Sequence, residues 1–299
     1  MINNERYQEL FTRASAGEPV PDDATDEEKE FYKSFTHNDI NKLKFVYGLT
    51  QVNLAENSLR KKQEENTIKV FYRLSNLEAF IPKNKIPNAT KNRCLENCIK
   101  EFGKKNITII GDRLNNETLE YVKSLKIKFV LVDNGSGAAT FRDALNLAIK
   151  KNKNTDFVYL LEDDFLHLPG SSKLLKEGIQ EFGTYVTLYD HPDKYINADK
   201  QYGNPQINMN SEVTRLFKTE SVHWKLTNST VMSFATTVRR LKDDYELLIK
   251  YSSNNMTDSY GFFTELIQTK KLSPISSVPG YSTHCVKGWL SPFINWDEL

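Results

Sequence analysis

The stretch Phe157–Pro169, FVYLLEDDFLHLP, decides how the chain folds. Phe157, Val158, Tyr159, Leu160 and Leu161 form a short apolar and aromatic run. Its length and β-forming residues suit a strand buried on both faces. Glu162, Asp163 and Asp164 follow with no spacer. A buried strand that ends in consecutive acids concentrates negative charge at a sheet edge. A hard divalent cation, Mn²⁺ or Mg²⁺, relieves that repulsion through oxygen ligation. Taken alone, an acidic triplet reads as a solvated turn. The order of the surrounding elements favours the ligand reading.

Working outward toward the N-terminus, Thr67–Tyr72 predicts a first strand, with Arg73–Asn76 as the turn after it. A helix over 90–102, a strand at Ile107–Ile110 ending in Gly111-Asp112, and a helix over 117–125 come next. Lys128–Val132 predicts a third strand, which runs into Asp133-Asn134-Gly135-Ser136-Gly137 and a helix over 138–150. Strand and helix alternate with short links. That pattern predicts the α/β class, with a mixed, mainly parallel sheet and helices on both faces. Ligands of such sheets bind beyond the carboxyl ends of the strands. Arg73, Asp112, the 133–137 loop and Glu162–Asp164 all fall there, so one crevice is expected to hold them.

On the C-terminal side, a helix to about Phe182 and a strand over 185–189 lead into Asp190-His191-Pro192. Residues 195–212 read as loop, 214–218 and 221–225 as a hairpin, and 228–236 as a stretch rich in small and hydroxyl residues. A helix over 239–251 and another beginning at Asp258 precede an irregular segment, 275–299. Residues 1–65 read as a polar helical extension. Its acidic helix start at 22–28 follows Pro19 and Pro21, where negative charge meets the positive end of the helix dipole.

A net charge of +1 argues against a broad nucleic-acid-binding surface, and no nucleic-acid partner is expected. No apolar run has the length of a transmembrane segment. Met1–Arg6 lacks the apolar segment of a secretory leader. An odd, small number of cysteines, Cys94, Cys98 and Cys285, argues for a reducing compartment, so a cytoplasmic location is expected. Cys94 and Cys98, one helical turn apart, read as buried thiols rather than half a metal site.

Several short motifs in order resemble glycosyltransferases of the GT-A fold, in particular family 2-like inverting enzymes, over roughly residues 67–290. Leu161-Glu162-Asp163-Asp164 is similar to the DxD-type metal motif in its Glu-Asp-Asp variant. The match implies that Asp164 ligates the metal while Glu162 and Asp163 contact ribose, sugar or bound water. Ile109-Ile110-Gly111-Asp112 resembles the second-strand segment whose Asp binds uracil or ribose. Capping the next helix is the alternative role for Asp112. Gly135–Leu147, GSGAATFRDALNL, resembles the Gly-rich turn and following helix. It makes Gly137 and Arg142 donor-binding candidates, although Asp143 stands where the family has Asn. A Rossmann site is a poor fit, because the third glycine of that fingerprint is missing.

Asp258 matches the position of the catalytic base. The preceding residue is Thr257, where the family usually carries a second acid, and a plain N-cap is the alternative. His284 matches the C-terminal His that completes the metal shell, and Lys287 is placed to neutralise a departing diphosphate. Ser229–Ser233 resembles the loop that lies along the donor sugar. Trp224, Trp289, Trp296 and Tyr202 are candidate sugar-stacking residues, although aromatics are more often core.

The resemblance implies a metal-dependent glycosyltransferase with a nucleotide-sugar donor, a UDP-sugar, and a glycan or other hydroxyl acceptor. It divides residues 66–299 into a nucleotide-binding half to about 170 and an acceptor and catalytic half. Two rivals stand beside it. A sugar-nucleotide pyrophosphorylase would need a Gly-rich loop with a basic residue after the first strand, where Tyr72-Arg73-Leu74-Ser75 is found. A catalytically silent sugar-binding or scaffolding module is kept in play by the missing acid at 257.

Overall fold

The computed structural model describes residues 19–30, 67–77, 84–195 and 214–299, the backbone of the short ladder 207–208 and 211–212, and positions 6, 10 and 13. Readings that fall on 31–66 and on Tyr202 lie outside the described residues. The chain divides into two units, Met1–Ser58 and Leu59–Leu299.

In the first unit the helical turn over 26–30 opens with a capping box. Thr25 Oγ1 accepts from the Glu28 amide at 3.3 Å, and Glu28 accepts from the Thr25 amide at 2.8 Å. Arg6 pairs with Glu28 at 3.0 Å, and the contact holds the Glu28 carboxyl below its usual range.

The second unit is built on a mixed nine-stranded sheet. Its strands are β1 (Ile68–Ser75), β2 (Ile107–Asp112), β3 (Lys128–Val132), β4 (Phe157–Glu162), β6 (Val186–Thr187), β9 (Leu216–Lys218), β10 (His223–Leu226), β11 (Phe234–Thr237) and β12 (Ile275–Val278). Their order is β3-β2-β1-β4-β11-β6-β12-β10-β9. Only β11 and β10 run against the rest. The sheet is mainly parallel in direction, as expected. Two further strands, β5 (Phe165–His167) and β13 (Ser282–His284), pair with each other outside it, and β7 (Ile207–Asn208) pairs with β8 (Ser211–Glu212).

The helices are α1 (Lys91–Phe102), α2 (Asn116–Ser124), α3 (Gly137–Lys151), α4 (Ser171–Phe182), α5 (Val238–Asp243), α6 (Tyr245–Lys250) and α7 (Ser259–Lys270). Strand β4 shows why they lie on both faces. Phe157, Tyr159 and Leu161 enter the core shared with α1 and α4. Val158 and Leu160 enter the core shared with α3, α5, α6 and α7. Burying each of these side chains contributes roughly 1.5–3 kcal/mol, so a one-residue register slip, which would exchange the two faces, is strongly disfavoured. At Gly178 an added Cβ would stand 2.9 Å from Val186 and 3.0 Å from the Trp224 ring, so only glycine lets α4 pack this close to the sheet. No helix among the described residues is long and apolar enough to cross a membrane.

Several boundaries differ from the sequence reading, each for a local reason. Arg73 is not in a turn. Strand β1 continues to Ser75 because β2 and β4 flank it on both sides, pairing Arg73 with Ile110 and Glu162. The 185–189 strand narrows to two residues because only Val186 and Thr187 pair within the main sheet, while Tyr189 bridges Ser282 instead. The 239–251 helix breaks at Asp244, whose buried carboxylate accepts from the Tyr185 hydroxyl at 2.7 Å. Strand β11 lies in the stretch read only as small and hydroxyl-rich, and β12 and β13 lie in the stretch read as irregular. All three are too short to show a periodicity.

Candidate metal and donor site

Strand β4 ends at Glu162, and the next two residues turn the chain out of the main sheet into β5. There Phe165 pairs with His284 of β13, and the Cys285 amide donates to the Asp164 carbonyl at 2.9 Å. Residues 120 apart in sequence are thereby fixed side by side, with His284 Nε2 3.1 Å from Asp164 Oδ2. The imidazole is stacked on the Phe165 ring at 5.4 Å and meets the edge of Tyr189 at 6.3 Å, so its orientation is set by packing.

Glu162, Asp164 and His284 each offer one ligand atom, and these atoms lie within 4.8 Å of one another. Ligands of a six-coordinate ion with bonds of about 2.1 Å stand roughly 3–4.2 Å apart. The cluster is therefore close to the required size and needs only a small contraction to close on an ion. Two carboxylates and an imidazole suit Mn²⁺ and are compatible with Mg²⁺. Asp164 is 2% exposed, which rules out a solvated turn at that residue. Buried carboxylates need compensating positive charge, and Lys85 supplies part of it at 3.3 Å from Asp164 Oδ2.

The three acids of the motif separate into different roles. Asp163 turns back toward β1, accepting from the Ser75 amide at 3.0 Å and from Lys91 Nζ at 2.8 Å. Lys91 also donates to the Ser75 carbonyl. Asp163 thus fastens the end of β1 to α1 and faces protein donors. Glu162 lies across from Arg73, which bonds it at 3.2 Å and also donates to the Met232 carbonyl at 3.0 Å. The Arg73 guanidinium sits over the Phe141 ring at 5.3 Å. Its charge is committed to Glu162 and to the 229–233 loop.

That loop is held in turn. Val231 and Met232 have positive φ, the Ser233 hydroxyl receives the Glu162 amide at 3.4 Å, and the Thr230 amide donates to Ser259 Oγ at 3.0 Å. Ser259 is the first residue of α7. Asp258 caps this helix, with Oδ1 accepting from the Gly261 amide at 2.8 Å. Its side chain is exposed. Asp258 therefore stands at the far side of the loop that touches Arg73 and Glu162.

Asp112, Gly137 and Arg142 belong to a second group, at the ends of β2 and β3. Asp112 is 1% exposed. One of its oxygens accepts from the amides of Asn134 at 2.9 Å and Gly135 at 3.2 Å, and the other accepts from the Thr140 hydroxyl at 2.8 Å. The glycine that this loop requires is Gly135, at φ +65° and with the Arg113 guanidinium 2.6 Å from any added Cβ. At Gly137 a Cβ would meet nothing within 4 Å. Arg142 donates to the Ser252 carbonyl, and Ser136 to that of Asn255 at 2.9 Å, so this group anchors the loop before Asp258.

Lys287 is exposed. Its amide bonds the Asn84 carbonyl at 2.7 Å, beside the segment that carries Lys85. Trp224 and Trp296 are buried in cores and present no stacking surface. Trp289 is half-buried, with its ring 5.3 Å from that of His191. His167 is wholly internal. Its Nε2 meets the Tyr159 hydroxyl at 3.0 Å, Asn97 bonds its backbone on both sides, and burial lowers its pKa to about 3. All three cysteines are free and buried.

Sequence reasoning missed Lys85 and Lys91. Lys85 lies in Pro82-Lys83-Asn84-Lys85-Ile86-Pro87, which has no periodicity, and it reaches Asp164 through a single bridge to Val286. A basic pair downstream of the first strand was the available signal.

No protein-family model matches the sequence, and no curated protein does. Several solved structures are similar in fold. UDP-glucose pyrophosphorylase complexed with UDP-glucose is 12% identical, over 74% of this chain and 93% of that one, with a TM-score of 0.44. The CMP:2-keto-3-deoxy-manno-octonic acid synthetase complexed with CTP is 11% identical over 72% and 92%, at 0.42. S. aureus TarS 1-349 is 18% identical over 60% and 49%, at 0.37. The strand order described above, and not these likenesses, carries the fold assignment.

Proposed function

We propose that the chain is a metal-dependent glycosyltransferase of the GT-A type. In this reading it moves a sugar from a nucleotide-diphosphate donor, a UDP-sugar, to an acceptor hydroxyl with inversion. One observation carries the reading: Glu162, Asp164 and His284 converge within 4.8 Å at the carboxyl end of a central parallel strand. Asp164 and His284, joined by Glu162, would hold Mn²⁺ or Mg²⁺. When bound there the cation supplies neutralisation of charge on the departing diphosphate.

The protein's own groups do the rest. Arg73 balances Glu162 and shapes the 229–233 loop. Asp163 fixes the turn through Lys91. Asp112, Gly137 and Arg142 form the donor-side wall, with Asp112 acting through the loop it orders. Lys287, with Lys85 beside it in the structure's Asn84–Lys85 segment, would meet phosphate oxygens. Asp258 takes the acceptor proton while the acceptor oxygen bonds the anomeric carbon and the nucleoside diphosphate departs with the bonding pair. The main domain is taken as residues 66–299, and three reduced, buried thiols suit a cytoplasmic enzyme.

The test is a thermal-shift panel of nucleotide sugars with and without Mn²⁺, run beside a turnover assay on wild type and Asp164→Ala. The reading expects Mn²⁺-dependent stabilisation by UDP-sugars and turnover that Asp164→Ala abolishes. Unchanged turnover in that variant refutes it. Binding without turnover in wild type supports the silent sugar-binding module.

A second reading is favoured by Lys85. A sugar-nucleotide pyrophosphorylase needs a Gly-rich loop with a basic residue after its first strand; the segment here has no glycine, but its Lys85 stands 3.3 Å from Asp164 Oδ2. Release of nucleoside triphosphate from a nucleotide sugar and pyrophosphate would identify that activity. Its absence, with transfer present, excludes it.

A further inference from the structure

The two ends of the main sheet carry opposite charge. The carboxyl ends of β2 and β4 and the loop after β3 hold Asp112, Asp133 and the acids 162–164. The amino ends hold lysines. Lys104 and Lys105 lead into β2, Lys126 and Lys128 open β3, and Lys150 and Lys151 end the helix before β4. The strand registers bring these positions to one edge, because Phe157 pairs with Ile68, Ile107 with Val70 and Lys128 with Thr108. Strand β11 ends at the same edge, where Thr237 pairs with Phe157 and the exposed Arg239 follows. A net charge of +1 conceals this separation.

Each of these lysines is exposed, and among the described residues none has an ion pair. Asp156 is the only acid in the segments 103–106, 126–128 and 150–156, and it is committed to the Lys153 amide, from which it accepts at 2.9 Å. Helix dipoles explain part of the row, since Lys150 and Lys151 lie in the last turn of α3. They do not explain Lys128, inside a strand, or the exposed Lys153, past the helix end. Strands about 4.8 Å apart place β3 and β4, with β2 and β1 between them, about 14 Å apart at this edge. The screening length at physiological salt is about 8 Å, so neighbouring lysines act on a partner together. Such a row attracts a polyanion.

The chemistry of the edge selects the kind. Its lysines are compact point charges, whereas nucleic-acid recognition favours the planar arginine fork. The well-exposed large aromatics among the described residues are Tyr195, past the carboxyl end of β6, and Phe293, two residues beyond Ser291, which bonds Asp190 there. Neither is offered to a nucleic-acid base at the lysine edge. Apolar side chains flank the row instead: Val130 and Leu131 of edge strand β3, beside Lys128, are 42% and 51% exposed. Long ammonium stems with adjacent apolar groups suit the boundary between lipid headgroups and acyl chains.

We propose that this edge docks on an anionic phospholipid bilayer, which turns the acidic carboxyl ends of the strands toward the aqueous side. The inference does not rest on the glycosyltransferase reading, which concerns the opposite end of the sheet.

The experiment is co-sedimentation of the full chain with vesicles of phosphatidylcholine alone, or with about one third phosphatidylserine. It is run at low salt and at about 1 M, where the screening length falls to about 3 Å. The variants are Lys126→Gln/Lys128→Gln and Lys150→Gln/Lys151→Gln. Lys173→Gln/Lys218→Gln is the control, because it removes the same charge from α4 and β9. Each is checked for an unchanged melting temperature. Wild type is expected on the phosphatidylserine vesicles alone and to be released by salt. Each row variant should lose at least about tenfold in partitioning, at about fivefold per basic residue, and the control should lose less than about threefold. Wild type that ignores phosphatidylserine vesicles, or binds both kinds equally, overturns the proposal. So do row variants that bind as wild type does, or a control that loses as much as they do. A duplex of about 20 base pairs is run beside the vesicles. If it strips wild type from them at equal phosphate concentration and loses affinity in the row variants, the edge is a nucleic-acid site and the bilayer assignment falls.

Discussion

Asp112 and Asp164 are the same residue type at equivalent places, just past or at the carboxyl ends of the two parallel strands that flank β1, and both are almost wholly buried. Their surroundings make them different objects. Asp112 is met by two amides and a hydroxyl from the loop that follows β3, so neutral donors of the protein engage both of its oxygens. Asp164 is met by an ammonium and an imidazole, both on one oxygen. A carboxylate that accepts from backbone amides orders a loop. One that gathers charged and metal-ligating partners is arranged for an ion.

The contrast can be broken by exchange experiments. Asp164→Asn should cut turnover roughly a thousandfold, the several kcal/mol that a bound cation supplies, while its Mn²⁺-dependent thermal shift disappears. Asp112→Ala should act on stability instead. Losing charge-assisted hydrogen bonds costs about 2–4 kcal/mol, read as a fall of roughly 5–10 °C in Tm, with the Mn²⁺ shift retained in the folded fraction. If the two variants exchange phenotypes, the contrast is wrong.

Asp258 sharpens it further, because asparagine caps a helix as well as aspartate does. Asp258→Asn should keep the Tm and lose on the order of a hundredfold in turnover, as expected for removal of a general base. Normal turnover in that variant would leave Asp258 a cap and nothing more. His284→Asn should weaken Mn²⁺ binding by at least the roughly tenfold that loss of even an outer-shell partner costs, measured by titrating the thermal shift.

The effect that is smallest at neutral pH, and grows only as pH falls, concerns His167, the imidazole that lies nearby in sequence but has no ligand role. Its folded pKa, about 3, is far below that of the unfolded chain. The unfolded state therefore binds the extra proton as pH falls below about 6.5, and stability should decline there by up to roughly 1.4 kcal/mol per pH unit from this group alone. His167→Gln should flatten that part of the profile in denaturant titrations.

The parallel half of the sheet was legible in the sequence because each strand from β1 to β4 is a compact apolar run followed by a helix with an apolar stripe. The acidic turn was legible as a candidate from its place after a buried strand in an alternating strand–helix order, and His284 only through the resemblance to the GT-A family. Legibility failed where structure comes from partners distant in the chain. Strands β11, β12 and β13 are three or four residues long and exist because neighbours supply their hydrogen bonds. The separation of Asp163 from Asp164 depends on Lys91, and nothing in the triplet itself predicts which acid a helix will claim. Arg73 was read as the start of the turn after the first strand. The guanidinium is instead buried against Phe141 and Glu162.

The β5–β13 ladder has one more consequence. Its two strands are made far apart in time, because a ribosome completes the acidic turn 120 residues before His284 exists. Until then a nascent chain carries the carboxylates and their upstream cationic partners but no imidazole, so its grip on the proposed cation should be loose. The proposed chelation would wait until residue 284 pairs with Phe165, which would make ion capture a late event of synthesis and a marker of a chain that has closed on itself.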